Sequence, residues 1–494
     1  SYSARYGDLA TAGAGEFKTL NYLDKNRVQA EAGLFNTWRG LGMFRLLDQK
    51  HFLSKNKEHA YLAAEYKYSD AFFESPQNFN RLNVFGKYYG RLNNGTTLSF
   101  SASTFGSRWD ASGQIPQRKV EDESISRYGS IDDSEGGSTR RTNLNLITIK
   151  PVGTGFWKNQ FFYSKYDFNL FSNFTFFLND PDKGDQIRQT DNRHLLGFFS
   201  AYDRLSTVRG RSLRTNVAVG SRYDNALIQL SKSTKRTVTD TTVIGKLNQL
   251  NTWTYVDNNL QISDKLRMNI GARFDLYYFD FKDLLDDSAT GTAVKSRTSP
   301  KLSFMYALNK NVEFYLKSGI GFHSNDARAV VLGQLNNSLP RAYGIDAGTT
   351  FKPHKRLLAN VVLWGLDLES ELIYVGDEGI VEVAGRTRRA GLDVGIRYEV
   401  MPFLYADVDV NYSYGRLRDE TEGANYIPLS PWLTSAGGLS YKKDKGLQGS
   451  LRYRYIADRP ANETNTVTAE GYLLLDAVIS YSQPKYSVGL VAEN

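Results

Sequence analysis

The chain has 494 residues, a formal net charge of +8, 41% hydrophobic residues and no Cys. The missing Cys excludes a disulfide framework and a thiolate metal site, and no apolar run reaches the roughly 18 residues that a spanning helix needs. The basic residues are spread along the whole chain without a cluster or a nucleic-acid motif, so they read as dispersed surface and lumen charge.

Taken in chain order, residues 1–19 carry no strand signal, and the opening at Ser1 without Met or an apolar leader implies that any signal peptide has been removed. Strands are then expected at 24–36, 38–49, 58–72, 78–92, 96–109, 140–152, 156–171, 194–207, 211–232, 250–262, 265–281, 296–308, 311–323, 340–352, 356–375, 386–400, 403–415, 431–442, 446–457, 468–482 and 485–494. Strict alternation carries these readings. Leu266, Met268, Ile270, Ala272, Phe274, Leu276 and Tyr278 interleave with Arg267, Asn269, Gly271, Arg273, Asp275 and Tyr277. Leu404, Ala406, Val408, Val410, Tyr412 and Tyr414 interleave with Tyr405, Asp407, Asp409, Asn411 and Ser413.

The breaks have their own rhythm. Short turns at 92–95, 208–211, 309–311, 352–356, 401–403, 443–446 and 483–485 alternate with long polar segments at 110–139, 173–193, 233–249, 282–296, 324–339 and 416–430. An up-and-down barrel with turns at one rim and loops at the other produces this pattern. Only the first two hairpins, near residues 36–38 and 74–77, are short where long ones are due. A face carrying Asp407, Asp409, Arg273, Lys317, Arg452 and Arg454 cannot fill a dry core, because unpaired buried charge is too costly. It can line a wet lumen, leaving the apolar face and the 31 Tyr and 28 Phe to meet lipid and its interfaces. An array of soluble β-sandwiches shares the period of two but not the short–long alternation or the charge on one strand face. The fold class is therefore all-β, a transmembrane antiparallel barrel. Twenty-one strands are read. Bacterial barrels have an even number, so a closing strand beyond Asn494 is expected, making 22, the size of a plugged transporter lumen.

Several segments resemble one family. "ARYGDLATAGAGEFKT" (4–19) resembles the end of the plug and the start of the barrel in TonB-dependent outer-membrane receptors. "GIGFHSNDAR" (319–328), "LDLESELIYVGDEG" (366–379), "RTRRAGLDVGIRYE" (386–399) and "AEGYLLLDAVISY" (469–481) look like its later barrel segments. The resemblance implies that residues 1–19 are a plug tail and 20–494 an incomplete barrel. The globular plug and TonB box of the family would precede Ser1. It further implies a Gram-negative outer-membrane location and active uptake of a scarce solute, most plausibly a ferric siderophore, with sugars, cobalamin and haem left open. The implied partners are the TonB–ExbB–ExbD system, outer-membrane lipid and an iron chelate. A passive porin and a structural barrel in an envelope complex are the alternatives, and the strand count speaks against the porin.

No catalytic, cofactor or metal pattern emerges. His51, His59, His194, His323 and His354 form no HExxH or other close spacing, and neither a GxSxG nor a Walker A motif occurs. The candidate ligand-facing residues are Arg273, Lys317, His323, Asp407, Asp409, Arg452 and Arg454. Asp367, Glu369 and Glu371 share one parity and read as lumen wall rather than as an acid–base or Ca²⁺ set. The segment 119–141, acidic, then Gly/Ser-rich, then basic, reads as a solvated external loop in which cation binding is the lesser option.

Overall fold

Alternating side chains suit a pleated surface with two unlike faces, and nearly the whole chain is committed to such strands. The computed structural model describes all residues except 1, 175, 176, 178, 179, 183, 332, 334–336 and 376–379, and only the backbone at 372–375 and 380–384. One sheet runs through β1 (Arg27–Gly33), β2 (Thr37–Lys50), β3 (Glu58–Ser69), β4 (Phe79–Arg91), β5 (Thr97–Asp110), β6 (Gly136–Val152), β7 (Gly155–Ser172), β8 (Ile187–Val208), β9 (Arg211–Thr234), β10 (Thr237–Gln261) and β11 (Leu266–Asp283). It continues through β12 (Gly291–Asn309), β13 (Val312–Phe322), β14 (Arg341–His354), β15 (Leu357–Leu368), β16 (Thr387–Met401), β17 (Leu404–Leu417), β18 (Leu433–Tyr441), β19 (Gly446–Ile456), β20 (Tyr472–Ser482) and β21 (Ser487–Ala492). These 21 strands form a single antiparallel sheet in which each pairs with its successor. Among the described residues β1 pairs only with β2, and β21 only with β20. Lys25 Nζ nonetheless donates to the Pro484 carbonyl at 3.0 Å, so the sheet has curled until its two ends approach at the short-turn rim.

All the expected short turns fall at that rim. The turn at Arg209–Gly210, with φ of 51° and 76°, is a two-residue type I′ connection whose twist matches the flanking strands. The opposite rim corrects one expectation. Residues 233–249 are not a loop: β9 and β10 run for 24 and 25 residues and are joined at Lys235–Arg236, both at positive φ. The expected strand 356–375 is also two pieces, β15 and the first half of a separate hairpin that pairs Glu371–Val375 with Ile380–Ala384.

Register fixes the two faces. Along β11, Ile270, Phe274, Leu276 and Tyr278 are exposed on the outer wall, while Asn269, Arg273, Asp275, Tyr277, Phe279 and Phe281 are buried on the inner one. Part of this burial comes from within the barrel. Residues 323–331, with the short helix α1 (Ala327–Val331), and residues 337–340 fold inward. Ala327, Val330 and Leu339 pack with Tyr277, Phe279, Phe322, Ala226 and Leu247 in one apolar cluster. An external loop over a wholly wet lumen was the expectation here. Apolar side chains at both surfaces make docking favourable instead, at roughly 25 cal/mol per Å² buried.

Candidate functional site

The described residues that precede β1, from Tyr2 onward, thread the lumen. Tyr2 donates to Asp346 at 2.5 Å. The Arg5 carbonyl accepts from Arg273 at 3.1 Å. Asp8 accepts from the backbone N–H and hydroxyl of Ser324 at 2.6 and 2.7 Å, and Leu9 N–H donates to the Phe322 carbonyl. Farther along, Lys87 Nζ donates to the Thr19 carbonyl and to Asn21, and Tyr61 donates to the Leu20 carbonyl. The tail thus descends from the root of the in-folded loop to the short-turn rim. It lies against part of the inner wall, and Phe17 is fully exposed to the space that remains.

The sequence-predicted residues on strands lie on the inner wall, with His323 just beyond the end of β13, and they are not gathered into one site. Arg273 is the most enclosed. It makes two 2.7 Å bonds to Asp275 and lies 5.0 Å over the Trp253 ring. Lys317 sits 4.2 Å over the Tyr315 ring. His323 bonds the Ser370 carbonyl at 3.0 Å. Asp407 takes a two-pronged contact from Arg452, one prong at 2.8 Å, and Asp409 pairs with Arg397 at 2.7 Å. Arg454 reaches Asp476 at 3.2 Å. Most of these charges are thus paired along the wall, which keeps it polar.

Asp367 and Glu369 require a correction. Asp367 lies opposite Tyr343 and Arg388, on the face that lower down carries the exposed Ile345, Leu363 and Ile396. It therefore points outward, above the apolar band, and pairs with Arg388 at 2.9 Å and Arg418 at 3.0 Å. Glu369 joins Tyr343 at 3.1 Å on that side. Glu371 binds Arg389, on the opposite face of β16.

Sequence reasoning also missed a built network at the long-loop rim. Gln186, 1% exposed, donates to Asp132 and Ser134 and accepts from Ser233 and the Arg236 N–H. It stitches three connections together. Beside it Glu135 is buried, and its carboxylate is held by the Asn173 N–H. Gly113 leaves the room it needs, since a Cβ there would stand 2.3 Å from Glu135 Oε1. Burial, with Asp132 nearby, pushes the Glu135 carboxyl up to about 7 from its ordinary 4.5. The native loop therefore binds this proton more tightly than the unfolded chain does. Its stabilisation is complete below about pH 4.5 and is lost as pH rises through about 7. Amide exchange of residues 111–135, corrected for intrinsic rates, should be slower at pH 5 than at pH 8, and Glu135→Gln should remove the difference.

The family model described as TonB dependent receptor-like, beta-barrel, matches residues 10–494. The chain belongs to the TonB-dependent receptor family. Receptors of this family are transporters rather than enzymes. Solved structures share the receptor's fold at low identity. The siderophore receptor PiuA from Acinetobacter baumannii is 12% identical, with a TM-score of 0.79 over 96% of this chain and 78% of that one. The ferric yersiniabactin uptake receptor FyuA from Yersinia pestis is 10% identical, with a TM-score of 0.76 over 97% and 75%. The unliganded ferric citrate transporter FecA is 14% identical, with a TM-score of 0.76 over 92% and 69%.

Proposed function

We propose that this receptor is an outer-membrane active transporter for a scarce solute of the ferric siderophore class, energised through the TonB–ExbB–ExbD system. The observation that carries the reading is the threaded lumen. A polypeptide segment bonded to the inner wall at Asp346 and Arg273 and to the in-folded segment at Ser324 suits a gated receptor and not an open pore. The siderophore class draws on the likeness to PiuA and FyuA, and the threading leaves the chemistry of the solute open. In this reading residues 1–19 are the tail of a plug and 20–494 the barrel. One inward strand bonds the free edges of β1 and β21 to complete 22. Arg273, Lys317, His323, Asp407, Asp409, Arg452 and Arg454 serve as lumen wall facing the ligand's path.

Mass spectrometry of receptor purified from its native membrane tests the substrate class: an iron chelate is expected, and a sugar or cobalamin in its place would overturn it. Orientation has its own test. A tag within 111–135 should be labelled on intact cells and one at 443–446 should not, whereas labelling of the second site would reverse the topology.

A further inference from the structure

The outer wall carries an unexplained concentration of positive charge where β16 and β17 leave the apolar band. Arg388 and Arg416 are direct cross-strand partners and therefore share a face, the one that carries Ile396, Tyr412 and Tyr414 outward. Like charges placed directly opposite destabilise a sheet unless something of the other sign lies between them. Asp367 answers Arg388 and Arg418, but Arg416 has no carboxylate partner among the described residues. Its guanidinium is held 4.3 Å over Tyr414 and 4.2 Å over Tyr426, and it donates to the Gly415 carbonyl at 2.7 Å.

Arg416 borders a cavity of about 340 Å³ lined also by Tyr412, Tyr414, Tyr426, Trp432 and Arg459, and Arg388 lies beside it on the neighbouring strand. Trp432 meets Tyr412 edge-on at 6.2 Å. Arg459 donates to the Glu470 carbonyl and has no acid partner among the described residues. Asp458 also borders the cavity, its carboxylate taken by the Gly471 N–H. Among the described residues the ion pairs of Arg388, Arg416, Arg418 and Arg459 are those of Arg388 and Arg418 with Asp367, while Arg386 and Asp419 cancel each other alongside. Cations fixed between aromatic rings at the edge of an apolar band suit an anion that is itself attached to something apolar.

We propose that this outward pocket binds the phosphorylated headgroup of a lipid in the surrounding leaflet. Arg416 and Arg388 grip the phosphate, and Tyr412, Tyr414 and Trp432 pack on the adjoining sugar or glycerol and upper acyl chain. The proposal rests on the membrane orientation given above but not on the identity of the solute.

The test uses the full receptor in phosphatidylcholine nanodiscs doped with a diphosphorylated glucosamine lipid or with the same lipid after removal of its phosphates. Native mass spectrometry reads the lipid retained. The intact receptor should retain the phosphorylated form at least about tenfold over the stripped one, as expected from the loss of charge-assisted bonds. Arg388→Gln with Arg416→Gln should abolish the preference, and heat-modifiable migration on gels should show that the barrel still folds. Equal retention of the two lipids by the intact receptor would overturn the proposal even if the variant fails to fold. So would a folded double variant that keeps the preference, or displacement of the lipid by inorganic phosphate alone. A receptor that inserts and carries its solute, yet shows no lipid preference, would sink this inference and leave the transport reading standing.

Discussion

Ile270→Arg should destabilise the lipid-embedded barrel by about 2–4 kcal/mol, because it places a cation on the outer wall within the hydrocarbon band. Ile270 is 48% exposed on that wall. The adjacent Asn269 was the natural inner-wall control on sequence grounds, with a far smaller expected cost. The structure changes that expectation: Asn269 is 9% exposed and donates to Asp257 at 2.7 Å. Arginine there has to displace packed neighbours, at about 1–3 kcal/mol. The better control is Asn411, exposed on the inner wall of β17, where arginine should change stability by no more than about 0.5 kcal/mol. Refolding titrations of the three variants in lipid vesicles read the order directly. A larger cost at 411 than at 270 would mean that the faces are reversed, and equal costs would mean that the two faces do not differ as described.

The second large effect is expected at Arg273 and Asp275, whose side chains are 5% and 0% exposed. Arg273→Ala leaves Asp275 buried without its partner and should cost about 3–5 kcal/mol. Replacing both, with Arg273→Met and Asp275→Leu, removes the stranded charge and should recover most of that loss. The recovery will be incomplete, because Arg273 also caps the Arg5 carbonyl and packs on Trp253. A double variant no more stable than Arg273→Ala would show that the pair contributes little and that packing around the tail carries the cost.

Alternation made the barrel legible wherever one strand face met lipid and the other water, as along 266–278 and 404–415. It failed where that contrast vanishes. Above the apolar band the outer face need not be apolar and the inner face stays polar, so Ser231, Lys232, Thr237 and Thr241 carry no period of two in hydrophobicity. Their hairpin turns at Lys235–Arg236 without the glycine that marks such turns. The same loss of contrast sent Asp367 and Glu369 to the wrong face: a carboxylate is excluded from the outer wall only as far up as the hydrocarbon reaches. The inner apolar cluster was hidden for a different reason. Tyr277 and Phe279 are aromatic on the face that elsewhere is polar. Their partners, Ala327, Val330 and Leu339, come from a connection some fifty residues later in the chain. The signal available was the unbroken apolar run from Leu276 to Phe279, unlike the alternation before it. Of the candidate site, the individual lumen residues were legible but their mutual pairing was not, since cross-strand register cannot be read from one strand at a time.

The bonds from the tail to the wall also define how the molecule bears load. Asp8 is fastened to Ser324 and Leu9 to Phe322, at the base of the in-folded segment, and Arg5 and Tyr2 are fastened to β11 and β14. A pull on residues 2–9 toward the short-turn rim would run along the strands, so these attachments would resist together in shear instead of opening one after another. The part on that line that is not barrel wall is formed by residues 323–331 and 337–340, held at the base by the tail and elsewhere by apolar packing and by bonds from Arg297 to Asn337 and the Leu339 carbonyl. Traction that spares the barrel wall would therefore be felt at the opposite mouth of the tube.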